Sequence, residues 1–137
     1  MSQAPRRLMQ SVSIEISPGE LIDRITILEI KRAKVRAPDK LKNIERELKV
    51  AIAARDSAIG VSERVNALSD DLRRVNEELW EIEDAIRDCE RRKTFDAKFI
   101  ELARRVYITN DRRASIKREI SSVLGSELIE EKSYTSY

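Results

Sequence analysis

The sequence contains no histidine. That removes the commonest general base near neutral pH and the commonest transition-metal ligand. Histidine-based triads and ordinary zinc sites are therefore excluded within one chain. Any catalysis must use carboxylates, Lys, Tyr or Cys, with a hard cation such as Mg²⁺ as the metal its oxygens suit; no other cofactor is expected. A single cysteine, Cys89, excludes an internal disulfide. Aromatics make up 4% of the chain, with three glycines and three prolines, too little for a sandwich or barrel. No apolar run approaches the roughly 18 residues of a membrane span. The opening MSQAPRRLMQ has neither a long apolar segment nor a cleavage site, so a cytoplasmic protein is expected. Charge of one sign is lacking too: 27 Lys and Arg against 25 Asp and Glu leave +2, and nothing global calls for nucleic acid or an anionic membrane.

What the sequence does have is charge of both signs, 38% of all residues, in a chain of 137 that suits one domain. The expected class is mainly α. Residues 1–10 read as a flexible N-terminus and 11–137 as a single helical domain. SVSIEIS (11–17) alternates Val12, Ile14 and Ile16, the period of a half-buried strand. Its expected partner is the tail SELIEEKSYTSY, which gives a short strand near each terminus.

Ser17, Pro18 and Glu20 form a capping box, opening a helix from about 18 to 36. Pro38 interrupts it, Asp39 is placed to cap the next, and a second amphipathic helix runs from about 40 to 58. Val61, Val65, Leu68, Leu72, Val75, Leu79, Ile82, Ile86 and Cys89 then alternate in steps of four and three, the seam of a coiled coil. RRKT makes a turn with Thr94 as cap, and a fourth helix spans about 95 to 124. Two long helices joined by a short turn predict an elongated antiparallel hairpin, with Ile82 near Val106 and Val75 near Arg113, packed with the two N-terminal helices.

Polar residues inside apolar arcs mark the candidate site. On the third helix these are Asn76 and Glu83, flanked by Trp80; on the fourth, Asn110, Arg113 and Lys117, beside Tyr107; on the first, Glu29, with Asp23 assigned to the opposite side. The register brings them to one level. Buried charge is costly unless paired, so the cluster is either an ion-pair network that fixes the register or a pocket holding an anionic group. In the second case Arg113 and Lys117 bind and Glu83 or Glu29 serves as acid, base or metal ligand.

Other signals are weaker. EELWE (77–81) matches half of the acidic metal motif of all-helical nucleotide pyrophosphatases, without the second half. The clusters RRK (91–93), RR (104–105) and RR (112–113) are interspersed with acids and poor in stacking aromatics, so no nucleic-acid partner is expected. Cys89 falls on the seam as a small core residue.

SPGELIDRITILEIK, NEELWEIEDAIR, FDAKFIELARRVYITNDRRASIKREI and GSELIEEKSY resemble a family of small bacterial proteins classified as a domain of unknown function. The resemblance covers about Ile14 to Tyr134, least over the second helix, and implies a link to cell-surface polysaccharide synthesis. It carries no activity and no residue roles. From the residues, a non-catalytic helical module is expected, a homodimer that serves assembly or binds a protein partner. The alternative is an enzyme or binding protein for an anionic, phosphorylated or sugar-linked metabolite.

Overall fold

The computed structural model describes residues 10–60, 62–126, 131 and 133–137. Four helices follow in order: α1 (Pro18–Lys34), α2 (Pro38–Ala58), α3 (Glu63–Arg92) and α4 (Ala97–Val123). Helix α1 starts where expected, with the Ser17 hydroxyl accepting the Glu20 amide at 3.1 Å and Pro18 in the first turn, while the Glu20 carboxylate, expected to complete a capping box, pairs with Lys117 and Arg24. Pro38 opens α2, where its missing N–H costs nothing, and Ala37 stands at the cap position expected of Asp39. Ser62 caps α3 through the Val65 amide. Asp96, in place of Thr94, caps α4, accepting from the amides of Lys98 and Phe99. Between the long helices Lys93 takes a left-handed conformation (φ 54°), and the Thr94 amide closes back onto the Cys89 carbonyl.

Helices α3 and α4 form the antiparallel hairpin. Its level is marked by cross-helix ion pairs: Glu78 receives Arg105 and Arg112, and Arg64 meets Glu119. Along the seam Val65, Leu68, Leu72, Val75, Ile82 and Cys89 are buried, with Leu79 and Ile86 half-buried; Val61 lies outside the described residues.

Helix α1 packs against all three other helices, whereas α2 packs on α1 alone. Ile22 joins Val65, Leu68, Leu72 and Ile120 in one core cluster, while Ile25 and Leu28 join Leu48 and Ala51 of α2 in another. At about 25 cal/mol per Å² of apolar surface, each fully buried Leu or Ile contributes roughly 1.5–3 kcal/mol. This multiple burial explains the composition LIDRITILEI, whose apolar residues surround the whole helix.

The expected terminal strands do not form among the described residues. Residues 11–17 carry no strand, with Val12 87% and Ile14 77% exposed. The tail is engaged elsewhere: Glu131 pairs with Arg118, and the Tyr137 ring meets Tyr107 edge-on at 5.4 Å. A strand without an edge to bond leaves its backbone to water, and alternation of three apolar residues does not offset that. Residues 127–130 and 132 of the tail, and 1–9 of the expected flexible N-terminus, lie outside the described residues.

Candidate functional site

The polar cluster is centred on Asp23, which is 2% exposed. Its place follows from the neighbours of α1: the side one hundred degrees beyond Ile22 is covered by α3 and α4, which supply Asn76 and Arg113. Asp23 Oδ1 accepts from Arg113 Nε at 2.9 Å and from Asn76 Nδ2 at 2.9 Å, while Oδ2 accepts from Arg113 Nη2 at 2.6 Å. This is the two-pronged guanidinium–carboxylate contact, the strongest and most directional of side-chain ion pairs. The other Asn76 amide proton goes to Thr26 Oγ1 at 2.8 Å, and the Thr26 hydroxyl donates to the Asp23 carbonyl at 2.8 Å. Asn110 Oδ1 accepts from Arg113 Nη1 at 3.4 Å.

One turn toward the N-terminus of α1, Lys117 Nζ donates to Glu20 Oε2 at 2.8 Å and stands 3.9 Å from Asp23 Oδ2. Burial pushes the Glu20 carboxyl up, but the Lys117 hydrogen bond and charge outweigh it and hold the group below its ordinary value. Two acids and two bases thus face one another, and no buried side-chain nitrogen or oxygen among the described residues lacks a partner. Beside them the Gly19 amide donates to the buried Ser121 hydroxyl at 3.0 Å, so α4 satisfies one of the free N–H groups of the α1 first turn. The approach is close: a Cβ at Gly19 would stand 2.1 Å from the Lys117 carbonyl oxygen.

Four of the eight expected site residues, Asn76, Asn110, Arg113 and Lys117, meet in this cluster. Glu29 does not. It pairs with Arg73 at 3.2 Å, which also holds Glu77 at 3.1 Å, on the rim of a cavity of about 470 Å³ beside Ile25 and Val65. Glu83 is half-exposed and reaches Arg87 at 3.6 Å, the spacing of an ordinary surface pair. Tyr107 is 44% exposed and lies under the tail. Trp80 is half-buried, and with Asn76, Glu83 and Arg113 it lines a groove of about 430 Å³ between α1 and α3.

The acid that sequence reasoning assigned to the far side, Asp23, is the hub. Glu20, Thr26 and Ser121 were also missed. The signal that points to Asp23 and Thr26 is that the apolar residues of LIDRITILEI surround the helix, which leaves few solvent-facing positions, one of them taken by Arg24. Among the described residues no group of three Asp, Glu or Cys is gathered to hold a metal ion, and no helix is long and apolar enough to cross a membrane.

Fold and site together define an all-helical protein in which an N-terminal helix is clamped to a long hairpin by buried ion pairs. The chain belongs to the Family of unknown function (DUF6165), whose model matches residues 12–137. Comparison with curated proteins and with solved structures found no match.

Proposed function

We propose that the chain is a helical assembly module that acts as a homodimer, with the hairpin as its contact surface. The observation that carries this reading is the closure of the ionic cluster. Both Asp23 oxygens, both Asn76 amide protons and the Lys117–Glu20 pair are spent on one another, as in a strut that sets the angle between α1 and the hairpin. What is left for a partner is the exterior. The bonds from α1 reach α3 at Arg73 and Asn76, while α3 runs on to Arg92, roughly 24 Å farther at 1.5 Å per residue. Near the end of that arm Phe95 and Ile100 are 52% and 58% exposed. Cell-surface polysaccharide synthesis, implied by the family resemblance, is the setting we attach to this module. Sedimentation velocity at tens of micromolar is the test: a dimer is expected, and a strictly monomeric species overturns the reading.

A second reading rests on the groove. Its volume is that of a small-molecule site, and Trp80, Arg113, Asn76 and Glu83 line it together. On this reading it takes an anionic metabolite. A thermal-shift screen of nucleotide sugars, phosphates and carboxylates, with and without Mg²⁺, tests it: stabilisation that Trp80→Ala abolishes supports the reading, and no stabilisation by any compound ends it.

A further inference from the structure

Resting on the homodimer reading, we propose that the groove between α1 and α3 is where a second copy of this chain docks, with the two α3 helices antiparallel. The groove is floored by the half-buried Ile27, Leu79 and Trp80 over the buried Ile30, an apolar lining that a second helix can cover. Its outer wall on α3 includes Trp80, Asp84 and Arg87, and the same stripe of the helix carries Glu77 and Arg91 beyond the groove. At one hundred degrees per residue these five share a sector of about 80°. From Glu77 on, the charges along that stripe are ordered, acids up to Asp84 and bases after it, with Arg73 one turn earlier held by Glu29 and Glu77. Two identical stripes laid parallel oppose like charges. Laid antiparallel about a twofold axis between residues 85 and 86, Asp84 of each copy comes level with Arg87 of the other, and Trp80 with Arg91.

That is the self-complementary pattern of an isologous contact, in which each residue meets its counterpart's partner twice. The charge order therefore selects both an orientation and an identical partner. Trp80 falls against the arginine stems of the second copy, where a guanidinium over the indole face adds a cation–π contact. The present partners are easily surrendered. Arg87 is 79% exposed and 3.6 Å from Glu83, and Arg91 is 77% exposed and bonded to Asp88. Exposed pairs of this kind contribute little to folding, so exchanging them across an interface costs little.

Charge exchange in the full chain tests the proposal. Asp84→Arg and Arg87→Asp are made singly and together, and the dimer dissociation constant of each is measured by sedimentation. Each single reversal replaces two symmetric attractions by repulsions and is expected to weaken the dimer about tenfold or more. The double variant restores the opposition in reverse and is expected to return within about threefold of the parent. Both positions are exposed, so thermal midpoints of all variants stay near that of the parent, which separates loss of docking from loss of folding. A parent dimer indifferent to every variant overturns this surface and leaves the homodimer reading standing. A double variant as weak as the singles overturns the antiparallel pairing. A monomeric parent overturns both.

Discussion

Asp23 and Arg113, 90 positions apart in the chain, meet through two parallel hydrogen bonds of 2.9 and 2.6 Å, with the carboxylate almost wholly removed from water. Such a pair is a poor source of net stability but a costly one to break, because either partner left alone is an uncompensated charge in the interior. Asp23→Ala is accordingly expected to lower unfolding free energy by about 3–5 kcal/mol in urea titrations. Arg113→Met should cost a comparable amount, and combining the two should cost less than their sum, since the second change removes the orphan left by the first. Additive effects would show that the pair is not coupled.

Glu29 gives the contrast. It was the acid that sequence periodicity singled out, yet its partner Arg73 is 42% exposed. Glu29→Gln is expected to change stability by less than about 1 kcal/mol, the range of surface ion pairs. A loss as large as that from Asp23→Ala would contradict the assignment of the hub.

The approach of α1 to α4 makes a third case. Alanine normally strengthens a helix, but at Gly19 its methyl would sit 2.1 Å from the Lys117 carbonyl oxygen, a backbone atom with no rotamer to yield. Gly19→Ala should destabilise by about 1–3 kcal/mol, as overpacking does, and thermal unfolding reads the effect. At Ala58, the last residue of α2 and an exposed one, the substitution Ala58→Gly should by comparison cost only the ordinary propensity of a fraying helix end.

Acid should loosen the same contact. Glu20 is held below its ordinary 4.5, so the folded carboxyl gives up its proton more readily than the unfolded one. Its contribution is complete above 4.5 and is lost as pH falls through the lowered folded value. In Lys117→Met the cause of the shift is gone, and the stability difference from the parent should narrow as pH drops through that window. Urea titrations from neutral to acid pH measure the two curves; curves that stay parallel would remove Glu20 from the clamp.

The turn of the hairpin offers a gain. Lys93 sits at φ 54°, a conformation that side chains resist and glycine does not. Lys93→Gly is expected to stabilise by roughly 0.5–1 kcal/mol, the left-handed cost less the entropy glycine loses on folding. A fall in thermal midpoint would show that the Lys93–Glu90 ion pair outweighs the backbone.

Much of the fold was legible because it is set by local chemistry. The Ser17–Pro18–Glu20 start, the breaks at Pro38 and Gly60 and the apolar steps along α3 each act within a turn or two, and the observed helices follow them closely. Hairpin register also followed from turn length, since antiparallel neighbours joined by a short turn leave little freedom, and Asn76 and Arg113 were duly brought together. The strands failed for the opposite reason: a strand is a pairing, and whether SVSIEIS finds an edge is not written in SVSIEIS. Asp23 failed likewise. Periodicity tells which side of a helix is apolar, but the number and placing of neighbours around α1 is a tertiary fact, and three neighbours cover the side that Asp23 occupies while Arg24 keeps the open one. The sequence by itself determined where the helices begin and end and which of them form the hairpin, because caps, breakers and apolar spacing are short-range. Only the tertiary structure decided which acid meets Arg113, because burial is a property of everything that surrounds a residue.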